Sequence, residues 1–264
     1  MLQKLVLFSI IGLCLTGCMN QPAAKLEYKP VSLSEKETPA EDFLPKTMKV
    51  VGIGDSLTKG VGDGAELGGY VGRVTEMLEE QDHIKDVLVE NYGVKGHKTS
   101  NLQKKLTNDK VIESIKEADM VVMTIGGNDI MNVVRQNIFS LDFEPFRAEQ
   151  KLYEERLRNI IITIRSYNSD AQIVFVGLYN PFKYMLPNIT EIDQIIDEWN
   201  SVSKQMITED ENGIFVSVAD IFSTSEVDNK LLYKDEFHPN ESGYTLIAER
   251  VYDSISKAEV SLNE

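Results

Sequence analysis

Ser56 closes the run Val50-Val51-Gly52-Ile53-Gly54-Asp55-Ser56, and Asp235-Glu236-Phe237-His238 lies near the far end of the chain. A short apolar run ending in Gly-Asp-Ser reads as a buried strand that breaks into a tight turn carrying an exposed hydroxyl. A serine hydroxyl is a poor nucleophile at neutral pH unless a base takes its proton. His238 is suited to be that base, because Asp235, three residues earlier, is spaced to hold its imidazole in the right tautomer. Of the other two histidines, His83 lies in a polar stretch without a partner and His97 reads as a rim residue. The chemistry these residues point to is acyl transfer through a serine.

Such a reaction needs preorganised donors for the negative oxygen of a tetrahedral intermediate. Gly126-Gly127-Asn128-Asp129 follows the apolar run Val121–Ile125, and its asparagine offers a neutral amide. Asn91-Tyr92-Gly93-Val94-Lys95-Gly96 supplies two glycines, either of whose N–H groups would serve. Other readings of Gly52-x-Gly54 fit less well. Leu57 stands where a dinucleotide fingerprint needs its last glycine, and Lys59-Gly60 is in the wrong order for a P-loop. Thr58 replaces the last glycine of an α/β-hydrolase elbow. Taken one at a time, Ser56 also reads as a helix cap and Gly126–Asn128 as a plain turn. Asp55 and Asp129 read as braces for their turns.

At four places in order, Gly54-Asp55-Ser56, Gly96–Ser100, Gly126–Asp129 and Asp235–His238, the chain resembles the GDSL, or SGNH, family of serine esterases and lipases. The resemblance runs from about Lys49 to Ala258. It implies Ser56 as nucleophile, His238 as base and Asp235 as its orienting carboxylate. It also implies an oxyanion hole of Ser56 N–H, Gly96 N–H and the Asn128 amide, and a five-stranded, flavodoxin-like, three-layer αβα fold.

The elements that must position these residues alternate. Short β-rich runs at residues 48–52, 87–92, 120–125, 173–178 and 214–218 are separated by helical stretches at 69–80, 101–118, 147–167, 191–211 and 241–257. This pattern predicts an α/β fold with a parallel sheet covered on both faces and ligands at the carboxyl ends of its strands. Two apolar connections, 130–146 and 179–187, read as lids or binding walls. For the first, a short helix packing on the sheet is an equal alternative.

Lys4, the apolar run Leu5–Leu15 and Leu15-Thr16-Gly17-Cys18 predict a signal peptide too short to span a bilayer. The Leu-x-Gly-Cys ending resembles a bacterial lipobox, which implies cleavage before Cys18 and a lipid on its thiol. Residues 18–46, with four prolines among polar residues, read as a flexible tether spanning roughly 25–35 Å, and the hydrolase domain as 47–264. Cys14 leaves with the signal, so no thiol remains to pair with Cys18. The net charge of −15, which becomes −16 without the signal's lone Lys4, argues against a nucleic-acid partner. No metal-ligand spacing occurs, and no cofactor is implied. The sequence thus predicts an extracytoplasmic, membrane-anchored serine hydrolase of small-molecule or lipid esters. A thioesterase, a carbohydrate deacetylase or a non-catalytic envelope binding module stand as alternatives.

Overall fold

The computed structural model describes residues 44–137, 142–183, 190–223 and 230–262. The expected signal peptide, Cys18 and nearly all of the expected tether lie outside them, as do parts of both apolar connections.

Five parallel strands form one sheet: β1 (Lys46–Gly54), β2 (Ile84–Asn91), β3 (Met120–Thr124), β4 (Gln172–Val176) and β5 (Gly213–Val216), in the order β2-β1-β3-β4-β5. β1 opens on Lys46, the last residue of the expected tether. Its register pairs Gly52 with Asn91 on one side and Gly54 with Thr124 on the other. The chain steps from β1 outward to β2, then back across to β3, so the connections diverge between β1 and β3. A crevice opens at the carboxyl ends of strands at such a point.

The strands are buried on both faces, and alternate residues go to opposite layers. Val51, Ile53, Val121, Met123, Ile173 and Phe175 face one apolar layer. It is completed by α3 (Thr99–Lys105), α4 (Asp109–Lys116), α5 (Gly127–Gln136), α6 (Phe143–Tyr167) and α7 (Thr190–Thr208). Val50, Val122, Val174, Val176 and Val216 face the other layer, built from α2 (Gly69–Glu79) and α8 (Glu241–Leu262). The result is the expected three-layer αβα sandwich. A one-turn helix, α1 (Ser56–Lys59), and a 3₁₀ turn (Ala219–Phe222) complete the elements.

One expectation needs correction, and one open alternative is decided. The single helix expected at 101–118 is two, because the chain turns at Leu106 and Asn108 caps a new start by accepting from the Lys110 N–H. Helix-forming residues continue across the break, but the Asn108 side chain satisfies the first N–H groups of a new helix instead. The connection after β3 is helical from Gly127 to Gln136 with Ile130 and Val133 in the core, the second of the two readings given for it. Among the described residues, no helix is long and apolar enough to cross a membrane.

Candidate active site

The turn that carries Ser56 follows from the closeness of β1 to β3. Gly54 has φ 129°, and a Cβ there would lie 2.1 Å from the Thr124 carbonyl oxygen, so only glycine fits. The Asp55 N–H donates to that same oxygen at 3.0 Å, carrying the pairing one residue past the strand. The Asp55 carboxylate then caps α1, accepting from the Leu57 N–H at 3.0 Å. Ser56 is therefore the first residue of α1, where a backbone N–H has no helical acceptor. Beneath it runs a buried chain of hydroxyls: Tyr70 to Thr58 at 3.2 Å, Thr58 to Thr124 at 2.8 Å, and Thr124 donating to Asp55 at 2.7 Å. Burial pushes the Asp55 carboxyl up to about 7 despite the bonds from Thr124 and Leu57. Asp55 braces the turn, as expected.

His238 sits in a tight loop closed by an antiparallel bridge between Leu232 and Pro239. The Tyr233 N–H donates to the His238 carbonyl at 2.7 Å, and Glu236 takes a left-handed φ of 53° to turn the chain. Asp235 Oδ1 accepts the N–H groups of Phe237 and His238 at 3.1 and 3.0 Å, and Oδ2 lies 2.7 Å from His238 Nδ1. Partial burial alone would raise the Asp235 carboxyl, but these bonds outweigh it and hold it below the usual carboxylate range. A carboxylate only accepts, so Nδ1 carries the proton and Nε2 is left as an acceptor. Nε2 lies 2.9 Å from Ser56 Oγ, and both residues are buried. Ser56, His238 and Asp235 are thus brought together as their types required.

On the other side of Ser56 lies Asn128, second residue of α5. Its amide donates to the His97 carbonyl at 3.0 Å, leaving one N–H beside the cleft it lines. The Gly93 N–H is engaged by the Asn91 side chain at 2.9 Å, whereas the Gly96 N–H makes no hydrogen bond among the described residues. Gly96 is exposed in the turn after β2, outside the walls of the cleft. Asp129 is fully buried and accepts from Thr99 N–H at 3.0 Å and Thr99 Oγ at 2.6 Å, clamping the turn after β2 to the turn after β3. It braces the loop, as read from the sequence. His97 is more than a rim residue, since its carbonyl orients Asn128 and its ring Nδ1 is buried with no hydrogen-bond partner among the described residues.

Several positioning residues were missed in the sequence. Asn200 on α7 brackets Leu178, accepting from its N–H at 2.7 Å and donating to its carbonyl at 2.9 Å. The Tyr179 hydroxyl bonds the Phe237 carbonyl. Asp63 and Arg73 form a buried two-bond ion pair that anchors the loop after α1. Within that loop Gly62, at φ 94°, packs so closely on the His238 loop that a Cβ would lie 2.5 Å from the Pro239 carbonyl oxygen. Apart from Asp63 and Arg73, which stand ten residues apart, each joins segments distant in sequence and leaves no local signal, except that a glycine between turn residues hints at a close approach.

From Ser56 a cleft runs between α5, α7 and the segment after β4, walled by Ile130, Met131, Leu178, Phe182, Ile192 and Ile196. Among the described residues, no three His, Cys, Asp or Glu side chains gather as a ligand set.

The sequence pattern of the GDSL-like Lipase/Acylhydrolase family matches residues 53–246, from the end of β1 into α8. The chain belongs to that family. As a GDSL-like acylhydrolase it is a carboxylic ester hydrolase. The protein YpmR of Bacillus subtilis is 38% identical over 258 residues, 97% of this chain and 98% of that one. Among solved structures, the lipase Lip_vut3 from a goat rumen metagenome superposes with a TM-score of 0.71 at 25% identity. It covers 78% of this chain and 97% of the lipase. Axe2, an acetylxylan esterase from Geobacillus stearothermophilus, gives 0.58 at 26% identity, over 79% of this GDSL chain and 94% of Axe2.

Proposed function

We propose that this GDSL hydrolase cleaves its ester through a Ser56–His238–Asp235 triad and an acyl-enzyme. The observation that carries the reading is the unbroken line from Ser56 Oγ to His238 Nε2 at 2.9 Å and from Nδ1 to Asp235 Oδ2 at 2.7 Å. Ser56 Oγ attacks the ester carbonyl while its proton passes to Nε2. Asp235 keeps the imidazole in the accepting tautomer and stabilises the imidazolium that forms. The Ser56 and Gly96 N–H groups and the Asn128 amide hold the oxyanion. On collapse, the C–O bond to the alcohol breaks and His238 returns the proton to the leaving oxygen. Water then repeats the sequence, its proton going to His238 and its oxygen to the acyl carbon, and Ser56 is restored. Ser56→Ala should abolish ester turnover and labelling by a fluorophosphonate; label retained on a different serine would overturn the assignment.

The proposed setting is the cell envelope. Support comes from Lys4, the apolar run to Leu15 and Leu15-Thr16-Gly17-Cys18, which together read as a lipoprotein signal, followed by a proline-bearing tether. The lipid on Cys18 would hold the domain on the outer side of the membrane. Mass measurement of the mature wild-type protein tests this, and Cys18→Ser should lack the lipid. A mature wild type without lipid would leave an ordinary secreted enzyme.

A further inference from the structure

We propose that Arg156 on α6 is a positioning residue for the reaction, holding Asp129 as the ionised acceptor that fixes the turn carrying Asn128. The inference rests on the reading of Asn128 as an oxyanion donor in a serine mechanism. One face of α6 beds that turn. Tyr153 and Arg156 stand three residues apart, so their side chains leave the helix on the same side. Tyr153 is fully buried, packs on Trp199 with 4.5 Å between ring centroids, and bonds Ser203 through its hydroxyl at 2.6 Å. Its ring comes so near Gly126 that a Cβ there would lie 2.8 Å away. One helical turn further, Arg156 Nη1 donates to Asp129 Oδ1 at 3.4 Å.

The charge matters because of what surrounds Asp129. Its side chain is sealed from solvent and faces three donors: Thr99 N–H, Thr99 Oγ and Arg156 Nη1. A proton on the carboxyl would set a fourth donor against these three. Burial raises the Asp129 carboxyl above its ordinary value, while the Thr99 bonds and the Arg156 charge oppose the rise. The ionisable groups that face it are Arg156, Glu149 and Tyr153 from α6 and Asp55 from the turn after β1. Among the described residues, Arg156 is the one cation paired with it. Arg156 pairs more closely with Glu149, at 2.8 Å. Glu149 is 20% exposed, however, and has water to turn to, so loss of the guanidinium falls mainly on Asp129. Asp129 follows Asn128 in the chain, and Thr99 lies two residues past His97, whose carbonyl accepts from the Asn128 amide. A slackened Asp129–Thr99 clamp therefore displaces that amide from both ends.

The full-length wild type, Ser56→Ala, Arg156→Ala, Arg156→Gln, Arg156→Lys, Asn128→Ala and the double variant Arg156→Ala with Asn128→Ala test this on p-nitrophenyl butyrate. kcat and KM are read between about pH 5.5 and 8.5, where histidine titrates, with thermal midpoints on the same preparations. At the alkaline end Arg156→Ala should lower kcat about tenfold with KM little changed, a part of the roughly 10²–10³ that loss of a whole donor costs. The deficit against wild type should widen as pH falls, because Asp129 without its counter-charge takes up a proton at a higher pH. Arg156→Gln keeps most of the side chain's length without the charge and should behave alike, should Arg156→Ala fold poorly. Arg156→Lys should recover most of kcat. In the Asn128→Ala background Arg156→Ala should cost little more, since the amide it positions is already gone. Unchanged kcat in both neutral variants, a deficit that is the same at every pH, or effects that multiply in the double variant would overturn the inference and leave the triad standing. Full activity in Asn128→Ala would overturn the oxyanion assignment and the inference together. Hydrolysis that persists in Ser56→Ala would overturn the serine mechanism on which both depend.

Discussion

The Tyr179 hydroxyl donates to the Phe237 carbonyl across 2.5 Å, tying the segment after β4 to the loop that carries His238. Tyr179 is buried, stacks on Phe222 at 4.1 Å, and its hydroxyl is pushed by burial well above the ordinary tyrosine value, so it remains a donor. Tyr179→Phe keeps the ring and removes only that bond. It should cost about 1–2 kcal/mol of stability by leaving a carbonyl unpaired. It should also lower kcat severalfold with KM little changed, because the residue next in chain to Phe237 is the proposed base. Urea unfolding and steady-state kinetics on one preparation check both; an unaltered kcat would show that the His238 loop holds its position alone.

Asn128 separates transition-state stabilisation from architecture. Asn128→Ala removes the amide beside the cleft, and kcat should fall by about 10²–10³ with KM nearly constant. The loop should survive, because Asp129 still clamps it to Thr99 through two hydrogen bonds. A destabilised variant with full kcat would place Asn128 among the structural residues instead.

Asp55 carries a pH dependence opposite to that of the carboxylates paired with Arg or His. Its folded pKa of about 7 lies above the ordinary 3.8, because burial disfavours the charge. Between about pH 4 and 7 the folded state keeps a proton that the unfolded chain has released, so raising pH through this window costs stability, at most about 4 kcal/mol. Asp63, Asp210, Asp220 and Asp235 are all held low, so their contributions are complete above pH 4 and are lost only in acid. Asp55→Asn keeps an oxygen for Thr124 and Leu57 but cannot ionise. Its stability should therefore fall less than that of wild type from pH 4 to 7, as read by thermal midpoints across that range. Parallel curves would mean that Asp55 titrates at its ordinary value.

The Arg73–Asp63 pair is nearly sealed from solvent, at 6% and 1% side-chain exposure. Asp63 also accepts from the Gly69 N–H at 2.9 Å, and Arg73 reaches Thr245 on α8 at 3.2 Å. Arg73→Ala would strand a buried carboxylate, and the expected loss is about 3–5 kcal/mol. The loop so released carries Gly62 against the His238 loop, so kcat should drop as well. A loss below about 1 kcal/mol in calorimetry would mean that water relieves Asp63.

What was legible in the sequence was local. Short apolar, β-rich runs marked the strands, the stretches between them the helices, and the Gly-rich segments at strand ends the turns. Asp235 and His238 were readable as a pair because three residues and one turn suffice to join them. The sequence by itself therefore determined the layered fold and offered the candidate site side chains. The tertiary structure decided how they meet. Ser56 and His238 stand 182 residues apart, and their 2.9 Å contact depends on β1 lying inside the sheet between β2 and β3 and on α8 packing across one face. The same holds for Tyr179 with Phe237 and Asn200 with Leu178. Each is a polar bond between elements whose neighbours are chosen by packing of the whole sheet, and such a bond leaves no periodicity for a local pattern to carry. The split at Asn108 is the converse: a local capping bond that outweighed the helical propensity of the residues on either side.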